Sequence, residues 1–89
     1  MTDYVPISCH LHDHVELACL RRYRVRIGTR DEVVVGTAMT TRTDPHKQEW
    51  LVLARDGGRS ELRLDRILSL EPLDANAAFA QIRFSDPVP

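Results

Sequence analysis

The sequence predicts a mainly β protein: a small barrel or sandwich of five or more short strands, preceded by one short N-terminal helix. Three observations carry that reading. From residue 22 onward, apolar and polar residues alternate with a period of two in several short runs. Those runs are rich in valine, isoleucine and threonine, and Gly, Asp-Pro and Asp-Gly signals separate them. One stretch, "CHLHDHVELAC" at positions 9–19, instead spaces its apolar residues as a helix does.

Taken in order, Pro6 biases Val5 away from helical angles, so residues 1–9 are expected to run extended. Asp13 then reads as an N-cap, and Glu16 three residues on completes an Asp-x-x-Glu form of the capping box. Val15, Ala18 and Cys19 fall on one stripe of the helix that follows. Arg21 and Arg22 suit a C-terminus, where the macrodipole favours cations. The predicted helix covers about residues 13–21.

In the first strand Arg22, Arg24 and Arg26 alternate with Tyr23, Val25 and Ile27. Thr29 to Glu32 reverse the chain, and a β-branched second strand occupies 33–40, where Gly36 predicts a bulge or bend. A polar loop at 41–48, punctuated by Asp44-Pro45, leads into an almost wholly apolar third strand at 49–55. Such a strand is expected to be covered on both faces. Asp56 to Arg59 form a hairpin turn, and the fourth strand runs over 60–64. Asp65-Arg66 kink the chain before a fifth strand at 67–70, which Pro72 ends. An edge strand is possible near 79–84, and 85–89 reads as a frayed tail. A short helix followed by short, bent strands is the recipe for an Sm-like barrel, here a single domain over 1–73 with 74–89 as a tail.

Eighty-nine residues allow one modest core, and 43% hydrophobic with 28% charged residues excludes a disordered chain. No apolar run reaches the ~18–20 residues of a membrane span, and the N-terminus lacks the pattern of a secretory signal. The expected compartment is the cytoplasm. The net charge of −1 hides an asymmetry: Asp3, Asp13 and Glu16 precede a basic run of Arg21, Arg22, Arg24, Arg26 and Arg30.

Five readings compete for these residues. Cys9, His10, His12, His14 and Cys19 are zinc-ligand types, but they lack a Cys-x-x-Cys pair and the predicted helix holds no His-x-x-x-His pair. A Cys9–Cys19 disulfide would close a short loop, although cytoplasmic redox poise opposes it; two small buried thiols are the plainer reading. No nucleophile elbow, phosphate-cradling glycine loop or nucleotide fingerprint points to an enzyme or a cofactor. Arg22, Arg24 and Arg26, projecting from one face of a strand, are candidates for single-stranded RNA binding, or else the charged face of an edge strand. The acidic, histidine-rich helix reads equally as a docking face for a basic partner and as a plug at one end of the barrel.

The segments "YVPISC" at 4–9, "DHVELAC" at 13–19 and "ELRLDRI" at 61–67 resemble the Rho-binding antiterminator family, also called Rof, in register from Tyr4 to about Leu70. That resemblance implies an Sm-like barrel with an N-terminal helix. It implies a partner, the hexameric helicase and termination factor Rho, bound on its N-terminal RNA-binding domain so that its primary RNA site is blocked. Carried over by position, the resemblance makes Asp13 and Glu16 partner-binding residues, joined by His10, His12, His14 and by Lys47 in the loop before the third strand. Cys9 and Cys19 match family cysteines and are assigned to packing. The sequence departs from the family at the helix entry, where His10, Leu11 and His12 replace more acidic and aromatic positions, and in its additional arginines.

Overall fold

The computed structural model describes residues 9–84. Helix α1 spans Cys9–Leu20. It therefore starts upstream of the predicted cap, and Asp13 lies inside the helix rather than at its N-cap. The reason is packing: Leu11 joins Val15, Ala18 and Cys19 against the core, so the buried stripe continues one turn further toward the N-terminus. Of the stretch expected to be extended, residues 1–8 lie outside the described residues, and Cys9 is helical.

The end of α1 also differs from expectation. Arg22 is not on a strand but adopts a left-handed backbone with φ of 55°. The Tyr23 N–H bonds Ala18 O at 3.0 Å and the Arg22 N–H bonds Cys19 O at 3.2 Å, a Schellman-type closure. Glycine usually fills that position. Here the Arg22 guanidinium offsets part of the strain by donating to the Cys19 carbonyl and to Met39 O, the latter at 2.8 Å.

Six antiparallel strands follow: β1 (Arg24–Thr29), β2 (Val33–Thr43), β3 (Glu49–Arg55), β4 (Gly58–Arg63), β5 (Ile67–Pro72) and β6 (Ile82–Arg83). They form one sheet in the order β4-β3-β2-β1-β5-β6, with a 3-10 turn at Leu64–Arg66 between β4 and β5. The fold is thus mainly β, as expected, but the sheet is an open one: β4 and β6 are its two edges. Register shifts between Ala38 and Thr40 and between Gly28 and Thr29 bend it.

Alternation decides which side chains fill the interior. Val25 and Ile27 of β1, Val34 and Ala38 of β2, and Leu51 and Leu53 of β3 are buried. Leu64 of the 3-10 turn, with Ile67 and Leu70 of β5, completes the layer onto which α1 packs. Val52 is also buried, so β3 is covered on both faces at its centre, as its composition predicts. Phe84, beyond the expected edge of the domain, is buried in the same core.

Gly36 does not sit at a bulge; the irregularity lies further along β2, past Ala38. Its role is close approach. A Cβ at Gly36 would lie 2.9 Å from the Ala54 carbonyl oxygen and 3.2 Å from Leu53 Cβ. Backbone on one side and a buried leucine on the other leave little room to yield. Gly36→Ala is therefore expected to destabilise the fold by about 1–3 kcal/mol, read as a lower denaturation midpoint with an unchanged slope.

Candidate functional site

Helix periodicity sorts the histidine-rich segment into faces. Asp13 and Glu16 are exposed on the side opposite the buried stripe, and Leu20, at 78% exposure, continues that side. His12 points elsewhere. Its Nε2 lies 2.8 Å from Glu49 Oε2 on β3, and its Nδ1 lies 3.1 Å from Glu16 Oε2 one helical turn on. A singly protonated ring donates to one of those carboxylates and a doubly protonated ring to both. The half-buried His12 thus clips α1 to the start of β3 and is not simply presented to solvent.

His10 and His14 are one turn apart, a His-x-x-x-His pair that exists because the helix begins at Cys9 and not at Asp13. His14 Nδ1 donates to His10 O at 2.8 Å, and the two rings meet edge to face at 4.6 Å between centroids. On its other side His14 meets Phe79 at 4.9 Å, and Phe79 meets Tyr23 at 5.9 Å. His14 is thus half buried under the C-terminal segment, while His10 is exposed.

The β2–β3 loop carries the sixth predicted residue, Lys47. Asp44 builds this loop. Its Oδ1 accepts the His46 and Gln48 N–H groups at 2.8 and 2.9 Å, and its Oδ2 accepts the Trp50 indole N–H at 3.0 Å. The Trp50 bond, opposed by desolvation and helped by the two backbone donors, holds the Asp44 carboxyl below the usual carboxylate range. Lys47 sits exposed at the loop tip with φ of 62°. Because His12 binds Glu49, two residues beyond Lys47, the loop and the first half of α1 border one another.

The arginine stripe does not hold together. Arg22 is turned into the helix cap, and Arg26 pairs with Glu71 at 3.0 Å. Arg24 remains exposed and borders a polar groove of about 360 Å³ with Thr37 and Arg55. Arg42 lies over the Trp50 ring at 5.5 Å and pairs with Glu61. A larger groove, of about 500 Å³, includes Arg30, Arg63 and Arg66 but also Asp31, Glu32, Glu61 and Asp65, so it has no single sign of charge.

Cys19 is a free, buried thiol. Burial pushes it up to about 11, against a lowering by Arg22 and with a further rise from Glu16. Cys9 and Cys19 stand at opposite ends of α1, about 15 Å apart along its axis, beyond the ~7 Å reach of a disulfide. Among the described residues no three His, Cys, Asp or Glu side chains gather as a metal centre, and no helix is long and apolar enough to cross a membrane.

Sequence reasoning did not identify Glu49, Asp44, Tyr23 or Phe79 as supports of this face. Asp44-Pro45 followed by polar residues was an available signal for a side-chain-built turn. The other three act through tertiary contacts that no local pattern encodes.

Comparison with known proteins places the chain among relatives. The family described as "Modulator of Rho-dependent transcription termination (ROF)" matches residues 6–84. Protein rof of Escherichia coli (strain K12) is 32% identical over 66 residues, covering 74% of this chain and 79% of the relative. Protein rof of Shigella flexneri matches to the same extent. Among solved structures, "YaeO bound to Magnesium from Vibrio cholerae O395" superposes with a TM-score of 0.76 at 32% identity, covering 82% of this chain and 96% of the other.

The Asp44 carboxyl yields a pH prediction. Its folded value is depressed, so its contribution to the loop is complete above the unfolded value of ~3.9 and is lost as pH falls through the folded value. Fluorescence of Trp50, the single tryptophan, is expected to hold steady from neutral pH to about 4 and to change only below it. In Asp44→Asn that acid transition is expected to vanish.

Proposed function

Since the chain belongs to the family of modulators of Rho-dependent transcription termination, we propose that it binds the N-terminal RNA-binding domain of Rho and occludes the primary RNA site. It acts in the cytoplasm, by occupancy and not by catalysis, and needs no cofactor. A site that holds RNA phosphates is basic, and an acidic face matches it in sign.

The observation that supports this reading is the exposed pair of carboxylates, Asp13 and Glu16, on a helix that is held in place. A docking face on a mobile helix would lose side-chain and backbone entropy on binding. Here the stripe of Leu11, Val15, Ala18 and Cys19, with the His12–Glu49 clip, has already fixed α1. His10 and Lys47 flank the face; His12 and His14 support it from behind and touch the partner less than Asp13 does. Direct RNA binding through Arg22, Arg24 and Arg26 is the weaker reading, because Arg22 and Arg26 are engaged within the chain.

Competition tests both readings. The chain is titrated into Rho carrying a labelled oligocytidine, with a control that omits Rho. Displacement in the first and silence in the control is the expected result. Signal in the control would move the function to the RNA-binding reading, with Arg24 the residue to replace. Asp13→Arg with Glu16→Arg is expected to weaken Rho binding ~100-fold or more, at about 1.4 kcal/mol or more per like-charge juxtaposition, with an unchanged melting curve. Full affinity in that double variant would place the interface away from α1.

A further inference from the structure

Because α1 starts at Cys9, His10 and His14 stand four residues apart inside one helix. Side chains at that spacing share a face, with Cβ atoms about 5–6 Å apart. His12 is not part of the pair. It lies on another face of the helix, held between Glu16 and Glu49.

The hydrogen bond of His14 decides which of its nitrogens can act as a ligand. A backbone carbonyl only accepts, so Nδ1, at 2.8 Å from His10 O, carries the proton. In the neutral ring Nε2 then holds the lone pair. Metal-binding histidines are arranged in the same way: the second nitrogen donates to a carbonyl or carboxylate, which sets the tautomer and the orientation of the ring. Phe79, edge to face at 4.9 Å, holds the His14 ring from its other side. One ligand is therefore positioned before any ion arrives.

The second ligand is adjacent. The His10 ring is exposed and meets the His14 ring edge to face, with 4.6 Å between centroids. Rotation of that exposed side chain about its own bonds can bring its nitrogen and that of His14 to the ~2.0–2.1 Å of a zinc–imidazole bond.

We propose that His10 and His14 form a two-histidine site for a divalent first-row transition ion such as Zn²⁺, with water completing its coordination. Imidazole nitrogens suit zinc, copper and nickel, whereas magnesium and calcium favour oxygen. The same His-x-x-x-His spacing on a helix supplies two of the protein ligands in zinc-dependent proteases. Two ligands make a weaker site than three or four, and the positive end of the helix dipole opposes a cation near His10. Asp13, exposed and three residues on from His10, offsets part of that field. The ion bridges both rings only while the helix holds their spacing. It therefore binds the folded chain in preference to the unfolded one and ties the first turns of α1 together. The site does not depend on Rho as partner, and docking does not require the ion.

Calorimetric titration of ZnCl₂ into the full-length, untagged chain tests the proposal, with thermal melts in parallel. One ion per chain is expected, with a rise in melting temperature that grows with Zn²⁺ concentration. His10→Ala leaves the contact between His14 and Phe79 in place; it is expected to weaken binding by at least ~10-fold and to lose most of that rise. Should the alanine variant fail to fold, His10→Gln keeps a polar side chain and is read in the same way. His46→Ala, in the β2–β3 loop, is expected to bind as the wild type does. Mg²⁺ in place of Zn²⁺ is expected to give neither heat of binding nor a rise in melting temperature. A folded wild type that binds no Zn²⁺ overturns the proposal. So does binding that His10→Ala leaves intact, binding lost in His46→Ala, or a site that Mg²⁺ fills equally well.

Discussion

Tyr23 is the constraint on which the rest of this structure depends. It is the first residue after the left-handed turn at Arg22, and its backbone works in both directions: its N–H closes the helix on Ala18 O, and its carbonyl accepts the Ala38 N–H from β2. Its buried ring packs on Phe79, and its hydroxyl takes the Ala78 N–H. Helix, sheet and C-terminal segment therefore meet at one residue, the first two through its backbone and the third through its side chain. A phenol suits this place because it offers a large apolar body and one polar tip that can be satisfied.

From that junction helix α1 gains its rigidity in two steps. Burial of an apolar stripe fixes its roll about its own axis, and the His12–Glu49 contact fixes the end remote from Tyr23. The outward carboxylates then have a defined spacing and a defined neighbour in the Asp44-built loop. The polar network here is small, partly exposed and fully satisfied; among the described residues no buried side-chain nitrogen or oxygen lacks a partner.

Much of the fold could be read from the residues, because alternation of apolar and polar positions is a direct image of a half-buried strand. Val25, Ile27 and Leu70 are buried where that alternation puts them, and the turn at Asp56-Gly57 falls where the glycines demand it. The helix start was misplaced because Asp13 and Glu16 mimic a capping box, while the deciding quantity was burial of Leu11 against strands not yet assembled. "RRYRVRI" looked like one continuous strand because a left-handed Arg22 has no marker in sequence. Of the candidate site, the acidic positions were visible and their support was not, since His12 and Glu49 are 37 positions apart. The alanine-rich segment after Leu73 gave no period at all, and its order comes from two phenylalanines meeting surfaces built by other elements.

The closed ion pairs of the sheet have a kinetic consequence. Arg26, Arg42 and Arg63 are neutralised within the chain by Glu71, Glu61 and Asp65, and the net charge is only −1. Such a molecule projects little field beyond its surface, and a partner feels the carboxylates of α1 only inside the ~8–10 Å over which salt leaves them unscreened. Encounter is then governed by diffusion and orientation, near the unsteered range of about 10⁵–10⁶ per molar per second. For such a molecule the lifetime of any complex is decided after contact, by short-range fit.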